Sequence, residues 1–351
     1  MTTSQLAPPD VAAAAGTNTT STATPVASPS RLRRVGRRAR RVALLTAGVL
    51  ASVLALSAGA NAVLAVREGL AQSYGQLVTL PGGGKVNTVV TGSGEETFVI
   101  MPGFGSTSPV LEFAPLADDL DDHATVVVVE PFGYGYSDRK TTADRTVENI
   151  TTELHQTLTA LHVRQPYTLV AHSISGLYAL DYVNRFPDEV RAVVTIDGQV
   201  PLDGPVPEEG RESRWLRLWT TSGVVRWLSF IKPELVVRPP RDTYSEDARR
   251  QWRTLVLRND SNAAVVEENH REAQNVEAVR GLSYPADLPV LAFVAQENMD
   301  IQPEWYPAHQ RQLTGLEHSK LIVLDDGHYL HYHHSHEIAD AARTFLDSAA
   351  D

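Results

Sequence analysis

Residues 169–176 read LVAHSISG: three apolar residues, His172, a lone serine at 173, then Ile174, Ser175 and Gly176. The longer run YTLVAHS (167–173) shows no alternation, the pattern of a strand buried on both faces of a parallel sheet. SGLYALDYVNRF (175–186) reads as a helix. A chain that passes from strand to helix at one residue must turn sharply, and the residues flanking such a turn must be small because their Cβ atoms approach neighbouring backbone. Ala171 and Ser175 occupy the two outer positions of a G-x-S-x-G elbow, with Gly176 following. Ser173 is thereby raised out of the sheet beside a helix N-terminus, whose dipole favours developing negative charge.

The same texture extends in both directions. TFVIMPG (97–103), ATVVVVEP (124–131), VRAVVTID (190–197), LPVLAFVA (288–295) and LIVLDDGH (321–328) are further strand-like runs. Between them, Val147, Ile150, Leu154, Leu158 and Leu161 form a helical stripe. This order predicts a doubly wound, mostly parallel α/β domain over residues 76–351. Residues 201–285 break the rhythm and hold four of the five tryptophans, Trp215, Trp219, Trp227 and Trp252. They predict a helical cap, whose tryptophans serve as its core or line a partly apolar substrate pocket.

Bulk composition narrows the partners. The net charge is −11, yet residues 1–67 carry eight Arg and one Asp, so the remaining body is strongly acidic and a nucleic-acid partner is not expected. With no cysteine, disulfides and thiolate sites are excluded. Residues 1–30 hold too few large apolar side chains to offset chain entropy, and 1–41 is expected to be a disordered, Arg-rich cytoplasmic tail. Val42–Val66 is a run of 25 uncharged residues, the expected transmembrane anchor. Seven Arg on its N-terminal side favour a cytoplasmic N-terminus and an extracytoplasmic body. The rival is a cleaved export signal ending at Ala60-Asn61-Ala62, which would release a secreted protein.

Three further motifs accompany the elbow in order. MPGFGST (101–107) follows a strand and offers a glycine-bearing loop; the backbone N–H groups of Phe104 and Ile174 are the candidate oxyanion hole. EPFGYGYSDR (130–139) follows the next strand, and DDGHYLHY places His328 after the last strand, ahead of a helix from about Ser335. Together these resemble the α/β hydrolase superfamily, with PGFG for its oxyanion loop, a GYGYSD-type loop, the AHSIS elbow and the late GH. The resemblance implies a Ser173 nucleophile and a His328 base. The acid stays open: the position where the superfamily commonly carries Asp is Asn298 here, flanked by Glu297 and Asp300, while Asp197 ends the strand after the elbow helix, as in haloalkane dehalogenases.

Dehalogenases and epoxide hydrolases of that superfamily use Asp at the elbow, so a serine points to acyl transfer on a small-molecule substrate without a cofactor. A carboxylesterase is the first expectation and a proline-iminopeptidase-like aminopeptidase the second. A catalytically silent binding protein on the same scaffold is the contrasting class. The histidine cluster at His331, His333, His334 and His336 matches no metal-ligand spacing and is expected to lie at the rim of the site.

Overall fold

The computed structural model describes residues 29–69, 74–202, 231–232, 240, 243–259 and 262–350. Residues 1–53 and 54–351 make two separate compact units. Helix α1 runs from Pro29 to Gly69. Within it Arg40–Ala60 has a mean hydropathy of 2.1. At about 1.5 Å per residue this stretch is about 31 Å long, enough to cross a hydrocarbon layer of about 30 Å. The large apolar side chains Val42, Leu45, Val49, Val53 and Leu56 along it are exposed.

Where disorder is expected as far as Arg41, the helix instead begins at Pro29. Proline suits a first helical position because the N–H it lacks has no intrahelical partner there, and arginine propagates a helix well once an apolar run has nucleated it. The remainder of the expected tail, 1–28, lies outside the described residues.

The body is one eight-stranded sheet. Its strands are β1 (Gln76–Thr79), β2 (Lys85–Gly92), β3 (Thr97–Met101), β4 (Thr125–Glu130), β5 (Tyr167–His172), β6 (Val190–Ile196), β7 (Val290–Ala295) and β8 (Ser319–Leu324). They lie in the order β1-β2-β4-β3-β5-β6-β7-β8. The pairs β1–β2 and β2–β4 are antiparallel and every later pair is parallel. Helices α2 (Pro109–Glu112), α3 (Ala114–Asp121), α4 (Val147–Leu161) and α5 (Ser175–Arg185) precede β6. Then come α6 (Glu246–Asn259), α7 (Ala263–Val279), α8 (Gln296–Ile301), α9 (Trp305–Leu313) and α10 (Ser335–Ala350).

Both faces of the central strands are buried, which explains why they read as continuous apolar runs. Val99, Leu169 and Ala171 pack with α4 and α5 on one face. Phe98, Ile100 and Val170 pack with α3 and α10 on the other. The parallel register aligns the strand ends: Met101 lies opposite Ala171, His172 opposite Ile196, and Ala295 opposite Leu324. Whatever follows each strand therefore meets at one edge of the sheet.

In the expected cap region, α6 and α7 are described, and Trp252 of α6 is buried against Tyr244. Trp215, Trp219 and Trp227 lie outside the described residues.

The elbow depends on Gly176. A Cβ at that position would stand 2.5 Å from the carbonyl oxygen of Gln199 and 2.9 Å from its nitrogen, both backbone atoms. We expect Gly176→Ala to cost about 1–3 kcal/mol of unfolding free energy by overpacking, measured by urea denaturation. An unchanged midpoint would show that α5 and the turn after β6 are free to separate.

Candidate active site

Three loops bring three chemically distinct side chains together. Ser173 follows β5 with φ +56°, in the left-handed region that costs an L-residue energy. Backbone hydrogen bonds hold it there: its N–H donates to Ile196 O at 3.3 Å, and its carbonyl accepts from Gly176 N at 2.9 Å and Gln199 N at 2.6 Å. His328 follows β8, and its Nε2 lies 2.9 Å from Ser173 Oγ. Asp197, also left-handed at φ +44°, follows β6 and places Oδ2 2.5 Å from His328 Nδ1.

The Asp197 carboxylate is fully buried but has donors on both oxygens. Oδ1 accepts from Ala295 N at 3.1 Å and Trp305 Nε1 at 2.8 Å. Oδ2 accepts from His328 Nδ1 and from Asn298 Nδ2. Burial pushes this carboxyl up, but the hydrogen bonds from His328, Ala295 and Trp305 and the neighbouring imidazole hold it below its ordinary value. An ionised carboxylate can only accept, so Nδ1 of His328 carries the proton. That leaves the Nε2 lone pair facing the Ser173 hydroxyl.

The other candidate acids are not bonded to His328. Asp300 accepts from Gln296 Nε2 at 2.8 Å, and Glu297 lies against Gly327. Asn298, in the place where an acid is commonly found, points its amide at Asp197 Oδ2 and stands 3.3 Å from His328 Nδ1. The sequence marks Asn298 only as the residue standing where an acid is common, not as a donor to Asp197, and nothing in it marks the Trp305 indole.

The Phe104 and Ile174 N–H groups have no hydrogen-bond partner among the described residues. Ile174 caps α5, and Phe104 is 38% exposed in the loop after β3. Gly103 brings this loop close to the elbow: a Cβ there would stand 2.7 Å from His172 Nδ1 and 2.9 Å from Ser173 Cβ. Ser175 Oγ fastens the loop from below by donating to Pro102 O at 2.5 Å.

The histidine cluster divides. His333, His334 and His336 pair with surface acids, the first with Asp326 at 2.7 Å. His331 is not a rim residue. It is fully buried because the 3₁₀ turn Leu330–Tyr332 folds it inward, where it stacks on Phe113 with ring centroids 4.2 Å apart. Its Nε2 donates to Glu112 Oε1 at 3.2 Å, and His172 Nε2 donates to the His328 carbonyl at 3.2 Å. Among the described residues, Glu112, His172 and His331 are the group whose ligand atoms lie close enough to consider for a cation, all within 4.8 Å of one another.

A model of the alpha/beta hydrolase family matches residues 98–341. The chain belongs to that family. Among curated relatives of this hydrolase, the uncharacterized protein YbdG of Bacillus subtilis (strain 168) is 27% identical over 219 residues, 60% of this chain and 65% of the relative. Cis-3-alkyl-4-alkyloxetan-2-one decarboxylase of Shewanella oneidensis is 26% identical over 130 residues, 36% of this chain and 40% of the relative. The match thus spans less than two thirds of either relative.

Solved structures extend the likeness in fold. A thermophilic esterase from Thermogutta terrifontis superimposes with a TM-score of 0.59 at 19% identity, covering 80% of this chain and 100% of that one. The epoxide hydrolase VrEH1 from Vigna radiata gives a TM-score of 0.61 at 14% identity, covering 78% of this chain and 97% of the other. Esterase and epoxide hydrolase neighbours alike show the hydrolase fold.

His172 couples folding stability to pH. Burial, with His331 and His328 nearby, holds its imidazole well below the ordinary value, so it is neutral in the folded protein. An unfolded chain takes up that proton near pH 6.5, so the stability contribution is intact above about pH 6.5 and is lost as pH falls toward the depressed folded value. Urea unfolding at a series of pH values should show stability dropping below about pH 6.5, with a shallower slope in His172→Gln. Identical slopes in the two proteins would assign the pH dependence to other groups.

Proposed function

We propose that the protein is a membrane-anchored serine hydrolase that cleaves carboxylic esters through an acyl-enzyme. The observation that carries this reading is the unbroken series from Ser173 Oγ through His328 to the buried Asp197 carboxylate, at 2.9 Å and 2.5 Å. In the proposed reaction Ser173 Oγ attacks the acyl carbonyl while His328 Nε2 takes its proton. His328 returns that proton to the leaving alcohol as the tetrahedral intermediate collapses. Phe104 and Ile174 N–H groups receive the developing oxyanion charge. Asp197 fixes the imidazole tautomer and stabilises the imidazolium. Water then attacks the acyl carbon as His328 takes its proton, and His328 passes that proton to Ser173 Oγ as the second tetrahedral intermediate collapses to the free acid and free Ser173.

A fluorophosphonate probe should label the intact protein and fail to label Ser173→Ala; labelling that survives this substitution sinks the reading. Asp197→Asn should lower turnover of p-nitrophenyl esters by about 10,000-fold, whereas Asp300→Asn should change it by less than about tenfold. Testing p-nitrophenyl esters of graded chain length beside aminoacyl amides separates the esterase from an aminopeptidase: preference for the amides would replace the first with the second. Under the same reading, α6 and α7 belong to a helical cap over the site, within residues 201–285.

The anchor is part of the proposal. The apolar stretch of α1 is long enough to span a bilayer, and its large side chains are exposed. The positive N-terminal flank supports a cytoplasmic N-terminus with the catalytic body across the membrane. The expressed protein should stay in the membrane pellet after carbonate washing and retain its N-terminal segment by intact mass. A soluble product beginning at Val63 would establish export with cleavage instead.

A further inference from the structure

Two tyrosines from different elements converge on one buried carboxylate. Tyr134, in the loop after β4, donates its hydroxyl to Glu268 Oε2 at 3.0 Å. Tyr178, on α5, donates to Glu268 Oε1 at 2.8 Å. Glu268 itself belongs to α7, and all three side chains are buried. Burial pushes both phenols well above their ordinary range, so they keep their protons and act as donors to the carboxylate. The Tyr134 oxygen still has a lone pair, and it accepts the Gly105 N–H at 3.0 Å.

This series joins the two sides of the proposed oxyanion pocket. On one side α5 begins at the Ile174 cap and carries Tyr178. On the other, the loop bearing Phe104 is tied through Gly105 to Tyr134. Because the Gly105 N–H is occupied, Phe104 N–H is the adjacent donor left to face the substrate. Nearby, the buried Arg145 guanidinium pairs with Glu153 at 2.5 Å. Burial pushes the Glu268 carboxyl above its ordinary value, and Arg145 and the two tyrosine hydroxyls oppose that only in part.

We propose that Glu268 is a positioning residue that sets the separation of the two oxyanion donors, using Tyr134 and Tyr178 as its arms; the role rests on the serine-hydrolase reading above. A buried ionic group of this kind is often replaceable by an apolar side chain at little cost in stability. The proposal therefore requires rate and stability to separate.

The experiment uses the full chain in detergent, with a p-nitrophenyl ester as substrate and a fluorophosphonate as the independent probe. Glu268→Met and Tyr134→Phe should each lower kcat on the order of 100-fold while KM stays within about threefold, as expected for displaced transition-state donors. Glu268→Gln should recover to within about tenfold of wild type, because its amide oxygen still accepts from Tyr134. Hydrogen exchange at the Gly105 amide should quicken in Tyr134→Phe.

If the wild type is labelled and both Glu268→Met and Tyr134→Phe are labelled at the wild-type rate, this inference falls while the Ser173 reading stands. Equal losses in Glu268→Gln and Glu268→Met, or losses of kcat that track the folded fraction, also overturn it. If the wild type is neither labelled nor active, the Ser173 reading fails and this inference fails with it.

Discussion

At Ser173 the backbone leaves β5 in a left-handed conformation that a serine adopts only when its neighbours compel it. Three backbone hydrogen bonds, to Ile196, Gly176 and Gln199, supply that compulsion; the bond with Gly176 closes the turn itself, and the other two depend on β5 and β6 pairing in parallel register. The same pairing brings Asp197 to the sheet edge beside the elbow, in a left-handed turn of its own. Small residues follow from this geometry. Gly176 lies against the turn after β6, and Gly103 lies against His172 and Ser173, each where a side chain would meet an atom.

Electrostatics are organised around the buried Asp197. A carboxylate without solvent is costly unless its lone pairs are met, and here Ala295, Trp305, Asn298 and His328 meet them. Three of these donors come from β7, α8 and α9, so the segment after β7 supports an acid that another strand provides. His172 and His331 are kept buried behind this arrangement, where Glu112 and the His328 carbonyl satisfy one nitrogen of each. The imidazole of His328 thus has polar partners on its ring and on its backbone.

Much of the scaffold was legible in the residues. Continuous apolar runs marked the parallel strands because both faces of the sheet are covered, and the 3.6-residue stripe from Val147 to Leu161 marked α4. The small residues around Ser173 marked the elbow because close backbone approach leaves no alternative. Less was visible where contacts are distant in sequence. The inward turn of His331 depends on Phe113 and Glu112, which lie more than 200 positions away, and nothing in HYLHYHHSH distinguishes it from its exposed neighbours. The helical state of the Arg-rich segment was missed for a different reason: composition measures what a segment can bury, whereas helix propagation depends on the apolar run beside it.

The amino-acid sequence by itself determined the alternation of strand and helix, the elbow at Ser173, the late histidine and a long apolar N-terminal helix, since each is written in spacing over a few consecutive residues. Only the tertiary structure decided which carboxylate faces His328. Asp197, Glu297 and Asp300 are alike as residue types at strand or helix ends. The choice among them follows from the side-by-side order of β6, β7 and β8, which brings Asp197 to a ring 131 positions further along the chain while Asp300 turns to Gln296.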